Sequence, residues 1–82
     1  MMQSATIDLV KKILVERFAI NPSLITPEVD LQKELNLDSM DALDLLLAVN
    51  ETFNTRIPEE SLEKIHTVAQ LVQVIDQRRP KK

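Results

Sequence analysis

The residues best suited to chemistry lie near the middle of the chain, in the segment Asp38-Ser39-Met40-Asp41. Asp is favoured just before a helix, and early carboxylates suit the positive helix end, so this segment predicts a helix start. Ser39 would then lie in the first turn, where its hydroxyl is exposed and free N–H groups favour an attached phosphate. A serine in this place is more often a simple cap, and the two aspartates argue against a site for a free anion. The segment therefore indicates either a helix cap or a serine that carries a covalent group.

An enzyme built on Ser39 would need a base, and the chain has one histidine, His66. A catalytic serine also needs an orienting group and an oxyanion site, and nothing in the sequence places His66 beside Ser39. The absence of cysteine excludes disulfides, Cys-ligated zinc and thiol nucleophiles. The absence of glycine excludes the P-loop and the dinucleotide fingerprint. We therefore expect no autonomous catalysis and interpret His66 as an exposed linker residue.

Acidic residues are concentrated in the middle of the chain. The formal charge of the 82 residues is −3, but residues 28–63 contain ten acidic and two basic side chains, a net charge of −8. With two phenylalanines as its aromatic residues, the chain lacks the stacking surfaces and the basic patch of nucleic-acid binders. A basic protein partner fits better, although acidity alone often serves solubility. Without a long apolar run or a secretory signal, we expect a cytoplasmic monomer with no membrane span.

Four helices are predicted to position these residues in one domain over residues 1–82, which gives an all-α fold, a small four-helix bundle with three longer helices and one short one. Apolar spacing and capping signals place helix one at residues 4–18, helix two at 39–53, the short helix three at 58–65 and helix four from residue 68. Arg78 begins a stretch, residues 78–82, that we expect to be a frayed basic tail.

A long loop over residues 20–37 separates helices one and two. It includes a predicted helical turn near residues 31–34, and it carries apolar residues that must cover the core, namely Val29, Leu31, Leu35 and Leu37. Because glycine is absent, we expect Asn21, Asn36 and Asn54 to make the left-handed turns at chain reversals.

Helix two has apolar residues on two sides. At about 100° per residue, one arc faces the core and contains Ala42, Leu45, Leu46, Val49 and Phe53. A second apolar stripe lies on the opposite side, close to Asp44 and Glu51, and contains Met40, Leu43 and Leu47. A domain this small scarcely buries a helix all round, so the long loop covers this stripe or a partner does. Apolar anchors inside a charged rim are typical of a transient docking surface.

The segment Leu37-Asp38-Ser39-Met40-Asp41, followed by an acidic and apolar helix, Phe53 and Arg56-Ile57-Pro58, resembles the acyl carrier proteins. The resemblance covers nearly the whole chain, as far as the last helix, which begins at Thr67-Val68. In this family the serine of the motif receives a 4′-phosphopantetheine arm from coenzyme A. The resemblance implies a carrier and not an enzyme, with the missing thiol supplied by the arm.

By position, the resemblance implies that Ser39 is the attachment site for 4′-phosphopantetheine. A separate phosphopantetheinyl transferase would attach the group with Mg²⁺ and would recognise Asp38 and Asp41. Acyl-loading and synthase enzymes with basic or apolar docking patches would bind a docking face on helix two, formed by Met40, Leu43, Asp44, Leu47 and Glu51. The acyl chain would lie in a cavity between helix two and the last two helices, lined by Val49, Leu62, Ile65 and Leu71.

The chain departs from the family pattern in a few places. Asn36 stands where a glycine is common, Arg56 precedes Ile57, and Asn50 and Thr52 stand where carboxylates are often found. These differences favour a specialised lipid, polyketide or polyene pathway over the housekeeping fatty-acid synthase. They also predict that docking depends less steeply on salt than in a standard carrier.

Two other functions remain open at this stage. An aminoacyl carrier shares the serine and the helix plan, although Asp41 and Asp44 favour an acyl carrier. A non-covalent helical adaptor would use the second apolar stripe and leave the serine motif unexplained. A divalent cation bound by Asp38, Asp41 and Asp44 would be incidental, because no multidentate loop supports it.

Overall fold

In the computed structural model, which describes residues 5–79, the chain forms three α-helices and two short 3₁₀ segments. Helix α1 spans Ala5–Phe18, α2 spans Ser39–Phe53 and α3 spans Val68–Arg78. The first 3₁₀ segment is Pro22–Leu24, and the second, Glu59–Lys64, is the predicted third helix in a tighter form. No strand occurs among residues 5–79, where Asp30 and Thr67 form an isolated bridge. The prediction of a small all-α bundle with three longer helices and one short one is confirmed.

The hydrophobic core lies between the three α-helices. Helix α1 packs against both α2 and α3, and α2 also contacts the second 3₁₀ segment. The predicted inner stripe of α2 is buried at Leu45, Leu46, Val49 and Phe53. Ala48 joins it, and Ala42 lies half-buried at its edge.

The loop between α1 and α2 covers one side of this core. Its apolar residues are buried, as predicted, at Val29, Leu31, Leu35 and Leu37. The helical turn expected over residues 31–34 is a single turn, in which Glu34 N donates to Asp30 O at 3.0 Å, and it does not extend into a helix. The Asp30 carboxylate holds this turn by accepting the amides of Gln32 and Lys33 at 2.9 and 2.8 Å.

Backbone hydrogen bonds join this loop to the start of α3. Leu31 N donates to His66 O at 2.8 Å, and Ala69 N donates to Pro27 O at 2.8 Å. The α3 helix begins as predicted, because the Thr67 side chain accepts Gln70 N and the Gln70 side chain accepts Thr67 N. The loop is therefore held in two ways, by backbone hydrogen bonds to the start of α3 and by the burial of its apolar side chains in the core.

Left-handed residues provide the chain reversals that glycine would otherwise make. Asn36 and Asn54 have φ angles of 59° and 56°, as predicted. The prediction for Asn21 is wrong, because this residue has φ −62° and its side chain caps the first 3₁₀ segment by accepting Ser23 N at 2.9 Å. Ala19, with φ 56°, takes the left-handed place instead, since α1 ends directly before it at Phe18.

Arg78 and Arg79 belong to the folded end of α3, which the sequence does not predict. Arg78 is the last residue of α3, and Arg79 caps it by donating its amide to Ile75 O at 2.8 Å. The Arg79 guanidinium lies 5.2 Å from the centre of the Phe53 ring and donates to Thr6 Oγ1 at 2.9 Å. The prediction of a frayed tail is therefore wrong for Arg78 and Arg79. Residues 80–82, like residue 4 of predicted helix one, lie outside the described residues.

Candidate functional site

Two aspartates close the start of α2 with reciprocal hydrogen bonds. Asp38 Oδ1 accepts Asp41 N at 2.9 Å, and Asp41 Oδ2 accepts Asp38 N at 3.4 Å. This pair confirms the helix start predicted at Asp38. The same carboxylates that the family resemblance assigns to transferase recognition thus also fix the first turn of α2.

Ser39 is the first residue of α2 and is exposed. Within residues 5–79, no group accepts a hydrogen bond from the amides of Ser39 or Met40. Both N–H groups lie at the positive end of a 15-residue helix, where they can bind oxygens of a phosphate on the Ser39 hydroxyl. The local geometry therefore fits a phosphodiester at this serine.

A cavity of about 510 Å³ opens beside Ser39, which forms part of its lining. This volume lies within the range of roughly 300–1,000 Å³ that small-molecule sites occupy. Three of the predicted acyl-cavity residues, Leu62, Ile65 and Leu71, line it. The fourth, Val49, is not part of the lining and is fully buried in the core.

Other walls of the cavity come from parts of the chain that sequence reasoning did not assign to it. The loop contributes Leu31 and Leu37, and α2 contributes Ala42, Leu45 and Leu46. Their apolar character was recognised as core covering, but their position around a cavity depends on contacts between distant segments. Polar residues also line the cavity, and these are Gln32, Ser39, Glu59, Glu60 and Glu63.

The second apolar stripe of α2 is exposed. Met40 and Leu47 keep 76% and 62% of their surface accessible, and Leu43 keeps 36%. The long loop therefore does not cover this stripe, and that alternative to a docking surface is wrong. Leu43 also lines the cavity, so the exposed stripe borders the cavity on one side.

The two acidic residues placed on this face have different surroundings. Asp44 Oδ1 accepts a hydrogen bond from Arg17 Nη2 of α1 at 2.7 Å, in an ion pair whose two side chains are about half exposed. Glu51 is exposed, and none of the salt bridges within residues 5–79 includes it. Nothing in the sequence pattern linked Arg17 to Asp44, since the two are 27 positions apart.

Asn50 holds the turn that follows α2. Its Oδ1 accepts the Thr55 hydroxyl at 2.7 Å and Ile57 N at 3.0 Å, while its Nδ2 donates to Ile57 O at 3.2 Å. A carboxylate could not make the last of these bonds, because it has no donor. Asn50 is therefore a structural residue of this turn, and of the two positions that seemed to thin the acidic surface only Thr52 is exposed.

His66 does not meet Ser39. None of the hydrogen bonds among residues 5–79 joins the two, and the His66 backbone bonds to Leu31 and Gln70. In the same part of the chain no group of three or more His, Asp or Glu side chains is placed to hold a metal ion. The described residues thus assemble a serine beside a cavity and an exposed helix face, with no hydrogen bond between Ser39 and His66.

Comparison with known proteins identifies the family. The sequence profile described as the phosphopantetheine attachment site matches residues 8–75, which is most of the chain. An acyl carrier protein of Thermosynechococcus vestitus is 33% identical over 78 residues, which cover 95% of this chain and 96% of that protein. The chain belongs to the acyl carrier protein family.

A second acyl carrier protein, from Wolinella succinogenes, is 38% identical over 72 residues, which cover 88% of this chain and 95% of that protein. Members of the acyl carrier protein family have a covalently attached 4′-phosphopantetheine prosthetic group, and this chain contains the domain that receives it. Within residues 5–79, none of the helices combines the length and apolar character needed to cross a bilayer.

Proposed function

We propose that Ser39 carries the 4′-phosphopantetheine group on its Oγ and that the chain presents acyl groups, as thioesters of that group, to partner enzymes. The observation that carries this proposal is the position of Ser39, exposed on the first turn of α2 and in the lining of the 510 Å³ cavity. The serine also lies within the matched residues 8–75 of the phosphopantetheine attachment domain.

Attachment requires a separate phosphopantetheinyl transferase, coenzyme A and Mg²⁺. The Ser39 oxygen bonds to the phosphorus that bears the pantetheine, the pyrophosphate P–O bond breaks, and the nucleotide 3′,5′-bisphosphate leaves. The proton of the hydroxyl passes to a base of the transferase. The chain itself contributes the fixed first turn, through Asp38 and Asp41, and the two amides that can bind the phosphate oxygens.

The attached group supplies the thiol that this cysteine-free chain lacks. Because Ser39 lies at the cavity, an acyl chain carried there can turn back between α2 and the last two helical segments. Leu62, Ile65 and Leu71 offer it an apolar wall, and Val49 lies buried in the core outside this lining. Burial of the acyl chain is favoured by roughly 0.8 kcal/mol per methylene group.

The docking face comprises Met40, Leu43, Asp44, Leu47 and Glu51. Its exposed apolar side chains provide contact area, and its carboxylates steer basic partners. We assign the transferase, acyl-loading enzymes and synthases of fatty-acid, polyketide or polyene synthesis to this face, with a specialised pathway preferred. The pairing of Asp44 with Arg17 supports that preference, because it leaves Glu51 as the carboxylate of this face without a salt bridge within residues 5–79 and so weakens the attraction of a basic patch.

The test is the intact mass of the protein before and after incubation with coenzyme A, Mg²⁺ and a broad-specificity phosphopantetheinyl transferase. We expect the wild type to gain one phosphopantetheine and the Ser39→Ala variant to gain none. Ser23→Ala, which removes another exposed hydroxyl, is the matched control and should be modified like the wild type. A folded, initially unmodified protein that gains nothing would refute the proposal and favour a non-covalent adaptor.

A further inference from the structure

The ion pair between α1 and α2 lies at the edge of the exposed apolar stripe. Asp44 follows Met40 by four residues and precedes Leu47 by three, so the three side chains project from one side of the helix. Arg17 reaches Asp44 from α1 with 2.7 Å between Nη2 and Oδ1. The side chains keep 49% and 45% of their surface accessible, so a partner that covers the stripe also meets this pair.

Most other carboxylates near this stripe are also engaged within the chain. Asp38 and Asp41 are bonded to each other's backbone at the start of α2. Asn50, at a position that the family often gives to a carboxylate, is neutral and bonded to the following turn. Glu51 remains as the carboxylate of the docking face that has no salt bridge within residues 5–79.

Exposed ion pairs are weak, so a cation of a partner can displace Arg17 from Asp44. The displaced guanidinium nevertheless stays attached to α1 next to the incoming cation, and repulsion between charges closer than the Debye length, about 10 Å in 0.1 M salt, is only partly screened. Two effects therefore weaken the binding of a basic docking patch. It must break the ion pair between Arg17 and Asp44, and it is then repelled by the freed Arg17 guanidinium. A patch that is apolar at the stripe and leaves the half-exposed pair in the solvated rim avoids both penalties, because the pair stays intact and hydrated.

We propose that Arg17 is a specificity-determining residue that neutralises Asp44 and selects partner enzymes whose docking patch is apolar where it meets Met40 and Leu47. Partners with arginine or lysine opposite Asp44 are disfavoured. This inference rests on the proposed function, because it concerns enzymes that act on the carrier. It also accounts for the weak salt dependence of docking predicted from the sequence.

The test measures kcat/KM for modification by a transferase whose carrier-binding patch is basic, over a series of sodium chloride concentrations. Arg17→Gln should raise kcat/KM roughly two- to fivefold at low salt, the effect expected of one exposed ion pair, and should steepen the salt dependence. The gain should disappear in the double variant Arg17→Gln/Asp44→Asn. Arg56→Gln, which removes an exposed arginine that has no salt bridge within residues 5–79, controls for the change in net charge.

Three results would overturn the inference: no gain in Arg17→Gln, a gain no larger than that of Arg56→Gln, or a gain that persists when Asp44 is also replaced. Thermal unfolding of each variant establishes that the fold is retained, which the exposure of both side chains favours. Absence of product from every variant and from the wild type would refute the proposed function, and this inference with it. Modification of all variants with equal efficiency would refute this inference alone.

Discussion

Replacement of Asn50 by alanine is expected to destabilise the protein, because it removes the hydrogen bonds that hold the turn after α2. The substitution removes three hydrogen bonds, from the Thr55 hydroxyl, from Ile57 N and to Ile57 O, in a partly buried site. At about 1 kcal/mol net for each bond, the loss is about 3 kcal/mol, and alanine returns about 0.6 kcal/mol through its better helix propensity. We therefore expect the free energy of unfolding to fall by about 2–3 kcal/mol, which lowers Tm by roughly 10–20 °C in a domain of this size.

Urea denaturation and thermal unfolding, both followed by circular dichroism, measure this loss. Thr52→Ala is the matched control, because Thr52 lies in the same helix with an exposed side chain and should change stability by less than about 0.5 kcal/mol. Asn50→Asp keeps an acceptor but replaces the donor with a charged oxygen that faces Ile57 O, so it should lose stability as well. If Asn50→Ala lost no more stability than Thr52→Ala, the structural role assigned to Asn50 would be wrong.

Three further predictions concern stability. Leu46→Ala should cost about 2–5 kcal/mol in unfolding free energy and Leu47→Ala less than about 1 kcal/mol, because the side chains are 5% and 62% exposed; equal losses in urea titrations would contradict the two-sided description of α2. Ala19→Gly should stabilise the protein by about 0.5–1 kcal/mol, since alanine at φ 56° is strained, and a lower Tm would argue against it. The hydrogen bond from the amide of Lys33 is the main cause that lowers the pKa of Asp30 below 3.8, so its carboxylate contributes stability that is present above this pH and lost as the pH falls through the lowered value. Asp30→Asn should therefore lower Tm at pH 7, with a difference that closes in acid, and an equal difference at every pH would contradict this.

Local signals were sufficient to predict α2 and its start. Asp38 and Asp41 form the predicted cap, and the two apolar sides of the helix follow from residue spacing alone. The exposure of Ser39 follows from the same local rules, since the first turn of a helix has its side chains free of the preceding turn. The candidate site was therefore predictable in its central residue.

Contacts between distant residues could not be predicted in this way. The pair of Arg17 with Asp44 spans 27 positions, and neither side chain has a local pattern that requires the other. In the sequence, Asn50 indicates only the loss of a surface carboxylate. Its structural role depends on a hydrogen bond from Ile57 N, which the fold brings next to it. The helix face of Val49 predicts a place at the cavity, but which buried residues border the cavity depends on how α2 packs against distant segments, and Val49 is not among them.

The end of the bundle has a consequence for the order in which the chain can fold. Thr6 Oγ1 donates to Asp76 at 2.7 Å and accepts from Arg79, so the first turn of α1 is bonded to residues 70 and 73 positions later. Closing so long a loop lowers the chain entropy, and contacts between neighbouring residues do not compensate for this loss. During synthesis α1 emerges first, yet the partners of its first turn are among the last of the described residues to be made. Completion of this end of the core must therefore wait for translation to reach Arg79, and nascent chains stopped before that residue lack the guanidinium that lies 5.2 Å from the centre of the Phe53 ring.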